Sequence, residues 1–290
     1  MNIGRIIKQI RTSKGLCQSD IAKYSGTAQG NYSKFENGQI EVRASVFLKI
    51  LDRLDISLEE YQYISNEYNL AYKESILKKF FYISHHDEES LENIKWECKN
   101  YLKHKESAAI RDIKTICKAL ICITGSNDFR EAKKIALPIW TRLSKSNALY
   151  LYDMYFINAI MYIFSVEEAI NIRAFLLREY KKYKKMPYSK ALIRIAYLNM
   201  SLLLIENNKY DLANEDLDLC IKICKEDRMY LHLAVCYIRK GICGSWENHF
   251  EAETLIQKGL DILDILEEKQ LLQIMLDEVN KYSKGFQYLK

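Results

Sequence analysis

The sequence predicts an all-α chain: a five-helix head containing a helix-turn-helix, then a long array of helical hairpins. Three observations carry that expectation. Residues 18–38, QSDIAKYSGTAQGNYSKFENG, read as a helix, a glycine turn and a second helix. The chain of 290 residues has only two prolines, Pro138 and Pro187, and shows no strand-like alternation bounded by turn pairs. Beyond residue 65 a faint repeat recurs with a period of about 40 residues, near the range of helical-hairpin arrays.

Taken in order, Ile3, Ile6, Ile7 and Ile10 recur at helical spacing, with Arg5, Lys8, Arg11 and Lys14 around them, and Gly15 closes that helix. Gln18-Ser19-Asp20 suits the start of a second helix, with Ile21, Ala22 and Tyr24 on its inward side. Gly26 accepts the positive φ of a tight exit, and Thr27 is a suitable N-cap for the third helix. That helix buries Tyr32 and Phe35, three residues apart, leaving Gln29, Gly30, Asn31, Ser33 and Lys34 free. A short helix with one apolar edge and a small, amide-rich outer face suits a DNA major groove. Past Gly38, Phe47, Leu48, Ile50, Leu51 and Leu54 mark a fourth helix, and Ser57 caps a fifth through Leu58 and Tyr61.

The block from Ile6 to Tyr61 resembles the Cro/C1-type repressor domain. It shares R-x-x-K-G-L-x-Q-x-x-[IL]-A over Arg11 to Ala22 and S-[KR]-[FI]-E-N-G over Ser33 to Gly38. The resemblance implies that Gln29 reads a base edge while Gln18 supports it and touches phosphate. An amide suits that task because its donor and acceptor match adenine N7 and N6. The resemblance also implies an internal ion pair between Arg11 and Glu36, weighed against a DNA contact. Lys34, Arg43 and Lys23 read as phosphate contacts or as solvated side chains; Asn31 reads as a base contact or a local cap. The candidate DNA-binding set is Gln18, Ala28, Gln29, Gly30, Asn31, Lys34 and Arg43.

Composition narrows the class. The length exceeds one typical domain, so two are expected: residues 1–65 for DNA binding, and 66–290 for peptide binding and dimerisation. The net charge is only +5, and residues 1–43 hold seven Lys/Arg against three Asp/Glu, so the basic excess is local. No apolar run approaches the ~20 residues of a membrane span, and the N-terminus lacks a signal-peptide core; a cytosolic place and no membrane partner are expected. Eight cysteines stand at 17, 98, 117, 122, 220, 224, 236 and 243 without a C-x-x-C pair, and read as small buried hydrophobes rather than metal or redox sites. His85-His86-Asp87 reads as a polar inter-helix turn rather than a ligand set. No glycine-rich phosphate loop, nucleophile elbow or H-E-x-x-H motif is present, so neither catalysis nor a cofactor or metal is expected.

The repeat is carried by Asn127-Asp128-Phe129 before Ala132, Asn208-Lys209-Tyr210 before Ala213, and Asn248-His249-Phe250 before Ala252, with SVEEA around Val166 and Ala169 as the weak member. An aromatic followed two or three residues later by alanine is expected to pack helix closely on helix. One hairpin cannot bury its apolar face alone, so the units stack. This is read as a degenerate tetratricopeptide-like α-solenoid.

The head plus such an array resembles the Rgg/GadR/MutR family of peptide-sensing regulators. The resemblance rests on residues 33–61, on REYKKYKKMPYSKALIRIAYLN from Arg178 to Asn199, on NNKYDLANEDL, and on the terminal GSWENHFEAETLIQKGLDILDIL. It implies a homodimer that binds a double-stranded DNA operator and a short signalling peptide. From the residues themselves, the 21 tyrosines suit a groove for apolar side chains with polar tips, or helix packing. Asn158 in FINAI and Asn199 in YLNMS, mid-helix amides in apolar runs, are candidate peptide clamps or inter-helix bonds. Arg194 suits a peptide carboxylate or an internal acid. The candidate peptide-binding set is Asn158, Tyr162, Arg194, Tyr197, Asn199, Tyr230 and Arg239. The competing reading is a repressor whose body only dimerises or binds protein. LIQKGLDILDILEEK and LLQIMLDEV are candidates for the dimer contact or for the solenoid cap.

Overall fold

The computed structural model describes residues 2–83, 87–186, 189–247 and 250–286, and all regular structure among them is helical. His85 and His86, Pro187, and Asn248 and His249 of the last repeat lie outside the described residues. The chain divides into two compact units, residues 1–79 and 80–290.

In the first unit, helices α1 (Ile3–Ser13), α2 (Gln18–Ser25), α3 (Gln29–Glu36), α4 (Ala44–Arg53) and α5 (Leu58–Ser65) enclose one core. Its members follow the helical period: Ile6, Ile7 and Ile10 from α1, Ile21 and Ala22 from α2, Tyr32 and Phe35 from α3, Ile50 and Leu51 from α4, Tyr61 from α5. Burying each large member is worth ~1.5–3 kcal/mol, so the periodic apolar residues hold the five helices together. Gly26 ends α2 at φ 74°, the left-handed value that glycine adopts without a Cβ clash. Ser57 caps α5 by accepting from the Glu60 backbone N–H at 3.0 Å.

Two local expectations are corrected. Tyr24 is 50% exposed and donates its hydroxyl to the Asp52 carboxylate instead of joining the core, because a phenol can reach a polar partner at the rim. Thr27 does not cap α3: the extended residue before that helix is Ala28, at φ −71° and ψ 140°, and no side chain bonds there. Helix α6 (Tyr72–Tyr82) comes next, and the division between the units falls within it.

The second unit continues through α7 (Glu88–Leu102), α8 (Ala108–Ser126), α9 (Phe129–Ser144), α10 (Leu151–Ile160), α11 (Val166–Tyr180), α12 (Ser189–Glu206), α13 (Tyr210–Glu226), α14 (Tyr230–Trp246), α15 (Ala252–Ile265) and α16 (Lys269–Tyr282). Successive helices pack on one another, as in α7 on α8, α12 on α13 and α14 on α15. Asn127 and Asn208, the asparagines of the repeat, turn the chain at φ 53° and 55°. Ala132, Ala169, Ala213 and Ala252 are all buried. The aromatic member behaves differently from expectation: Phe129 and Phe250 are exposed, and Tyr210 stacks on Trp246 at 5.5 Å. The small residue makes the close approach, and the ring shields its edge. Gly241 shows the same need at α14, where a Cβ would stand 2.6 Å from the Ala252 carbonyl oxygen.

Candidate functional site

The head's outer edge is built on a buried ion pair. Arg11 Nε donates to Glu36 Oε1 at 2.6 Å and Nη2 to Oε2 at 3.0 Å, while Nη1 reaches the Leu16 carbonyl at 2.6 Å. Gln18 Nε2 adds a bond to Glu36 Oε2 at 2.7 Å. Burial alone would raise the Glu36 carboxyl, but the bonds from Arg11 and Gln18 outweigh it and hold the group below its ordinary range. Arg11 and Glu36 therefore join α1 to the end of α3, and Gln18 ties the start of α2 to the same carboxylate. Gln18 is half-buried with its amide nitrogen committed inside the head.

With Tyr32, Phe35 and Glu36 facing inward, α3 presents Gln29, Gly30, Asn31 and Lys34 to solvent, and Ala28 and Arg43 are exposed beside it. At Gly30 a Cβ would meet nothing within 4 Å, so this edge is open. A cleft of about 580 Å³ in the head runs instead along Asn2, Ile3, Phe35, Gln39–Val42 and Phe47, away from Gln29–Asn31. An exposed amide edge outside that cleft suits a broad ligand such as duplex DNA rather than an engulfed small molecule.

The seven body candidates do not form one wall. Helix α12 is continuous, so Tyr197 and Asn199, two residues apart, point about 200° apart around it. Ala191, Ile195, Asn199 and Leu202, at i, i+4, i+8 and i+11, form its half-buried line, whereas Arg194, Tyr197 and Ser201 are buried on another face. Arg194 Nη1 lies 3.6 Å from Asp227, and its Nε is buried without a partner. The Tyr197 ring lies 5.7 Å from the Arg173 guanidinium, and burial raises its phenol. On α10, Tyr155 and Asn158 share a stripe with half-buried Tyr162 in the short turn after it. Asn158 is buried and its Oδ1 has no partner. Tyr230 opens α14 and is 55% exposed, at the rim.

Arg239 leaves the candidate set. Its Nε and Nη2 bond to Glu278 at 2.9 and 2.8 Å, and Nη1 donates to the Leu198 carbonyl at 2.7 Å. A buried guanidinium needs such internal acceptors, and here it braces α12, α14 and α16. Sequence reasoning missed the equivalent pair in which Arg173 Nε donates to buried Asp216 at 2.8 Å. Its signal was spacing: Arg173 and Asp216 stand 43 residues apart and Arg239 and Glu278 39, each about one repeat.

A glycine-turned helix pair with an exposed amide edge, followed by packed helical hairpins, defines a helix-turn-helix transcriptional regulator. Residues 7–61 match the helix-turn-helix family model, and residues 143–275 match the model described as the C-terminal domain of the HTH-type transcriptional regulator Rgg. Residues 143–275 thus resemble an Rgg C-terminal domain, joined to a helix-turn-helix head. Among solved structures it is similar to a candidate transcriptional regulator from Listeria monocytogenes EGD-e, at TM-score 0.79 and 22% identity over 97% of each chain. It is also similar to the Streptococcus dysgalactiae SHP pheromone receptor Rgg2(C45S), at TM-score 0.72 and 14% identity over 97% of this chain and 99% of that one. Bacillus thuringiensis PlcR, solved with the peptide PapR7 and DNA, is similar at TM-score 0.67 and 16% identity over 94% and 98%. No curated protein sequence matches the chain.

Proposed function

We propose that this regulator acts in the cytosol as a homodimer, without catalysis, and that a short signalling peptide bound to the helical body controls its grip on a DNA operator. The half-buried line of α12 carries the peptide reading, because it sets the Asn199 amide among Ile195, Leu202 and Ala191 on a face the body leaves incompletely covered. An amide amid apolar side chains can clamp one peptide unit while its neighbours take apolar residues. Half-buried Tyr155 and Tyr162 on the α10 stripe are further candidate contacts, since α10 packs on α12. Residues 1–65 form the DNA-binding domain in this reading, and 66–290 the sensing and dimerisation domain. Ile265, Leu266 and Ile274, all exposed on the last two helices or the turn between them, support a contact between two copies there.

The head reads bases through Gln29 and Asn31 and positions itself on phosphates through Lys34 and Arg43. The test has two arms. Duplexes selected from a random pool by the full chain give the operator; Gln29→Ala is expected to lower affinity for it by roughly 10- to 100-fold and to blur one base position. Unchanged affinity and preference would remove α3 as the reading helix. In the second arm, labelled synthetic peptides are screened by polarisation and thermal shift, and Asn199→Ala is expected to weaken the best binder while leaving operator binding intact. A dimer that holds its operator identically with every peptide would favour a body that only dimerises.

A further inference from the structure

Helices α13 and α14 place three cysteines together that the regulatory reading leaves unused. Cys220 and Cys224 are one turn apart on α13, and Cys236 faces them from α14; all three are buried. Their sulfurs lie within 4.8 Å of one another, with Cys220 and Cys224 Sγ 3.9 Å apart. Three sulfurs held about 2.3 Å from a common centre stand about 4 Å from each other. Closing this triangle around an ion therefore needs rotamer shifts rather than backbone movement.

The surroundings match that use. Among the described residues no further Cys, His, Asp or Glu ligand atom joins the group at that distance. His232, one turn before Cys236 on α14, has a buried Nδ1 without a partner. Burial and the nearby Arg194 charge lower its basicity.

We propose that Cys220, Cys224 and Cys236 form a three-thiolate site for a soft, thiophilic cation of the cuprous type, clipping α13 to α14. Soft thiolates select Cu(I), zinc and iron–sulfur centres, whereas structural zinc takes four ligands. Three sulfurs in a dry setting therefore suit the three-coordinate ion best. No electron changes hands: the ion enters and stays cuprous, and thiol protons leave to buffer.

The experiment uses the reduced full-length chain under nitrogen, with cuprous ion supplied as its acetonitrile complex against a chromogenic chelator. About one ion per chain is expected to resist the chelator, with protons released to a weak buffer. The Cys220→Ser, Cys224→Ser and Cys236→Ser variants should each weaken retention by more than roughly 100-fold, beyond what loss of an outer-shell partner causes. Cys98→Ser and Cys243→Ser, which alter buried cysteines outside the cluster, should retain the ion. X-ray absorption of the wild-type complex should show three sulfurs near ~2.3 Å, a readout that holds even if a variant fails to fold. Equal retention by the triple serine variant, or a spectrum without three sulfurs, overturns the site. Zinc held against an equimolar cuprous challenge overturns the choice of ion.

Discussion

Both units bond buried ions internally, but they leave different polar groups unmatched: the Tyr32 hydroxyl in the head and several groups in the body. In the head, Arg11, Glu36 and Gln18 bond to one another, and the amides that remain unbonded stand outside on Gln29 and Asn31. In the body, Asn158 Oδ1, Arg194 Nε and His232 Nδ1 are buried without partners, and three thiols lie together between α13 and α14. A closed internal network makes a stiff scaffold that presents a constant edge. Unmatched buried groups cost free energy until something meets them. The contrast teaches that the two units differ in polar satisfaction as well as in position in the chain.

The contrast breaks most visibly if its buried pair is cut. Arg11→Ala leaves Glu36 buried and unpaired, so the head should lose ~3–5 kcal/mol in urea titration while the body transition stays in place. A head transition unmoved by the change would mean that the pair is not what closes the network. The opposite response is expected in the body. Asn158→Leu should raise the melting temperature, by ~1 kcal/mol of stability, because an orphaned amide oxygen is exchanged for an apolar group. A clear destabilisation would show that this amide is bonded.

Acid sharpens the same comparison. The folded Glu36 carboxyl is held below its ordinary 4.5, so its stabilisation is complete above that value and fades as pH falls through the lower folded one. Circular dichroism across pH 3 to 6 should show that fading in the wild type below about pH 4.5. A head that weakens first above pH 5 would contradict the assignment. The smallest effect belongs to the exposed rim: Arg43→Ala should lower operator affinity alike for all sequences and reduce the salt slope by about 1. A change in base preference would instead make Arg43 a reader.

Much of the head is legible in the sequence because its determinants are local. Ile6, Ile7 and Ile10, Gly26, Tyr32 and Phe35, and Ser57 each act within a helical turn or two, and their periodicity predicts where they point. Tyr24 and Thr27 depart from expectation because a solvent-reaching phenol and a one-residue shift of a helix start depend on neighbouring chain. In the body, the asparagine turns and buried alanines are visible as a repeat. Tyr197 and Asn199 cannot be sorted onto faces of α12 from sequence, since its apolar residues surround it and leave no single stripe.

By itself the sequence determined the helical class, the helix-turn-helix and its outer amides, and the repeat; the Arg11–Glu36 link came from the family resemblance. Only the tertiary structure decided that Arg239 braces Glu278 and Leu198, that Asp216 takes Arg173, and that Asn199 faces the open line. It also decided that Cys236 meets Cys220 and Cys224. Periodicity and turn chemistry are written into a few consecutive residues. The rotation of each helix, which brings side chains from neighbouring helices together, is set by the combined packing of the whole array.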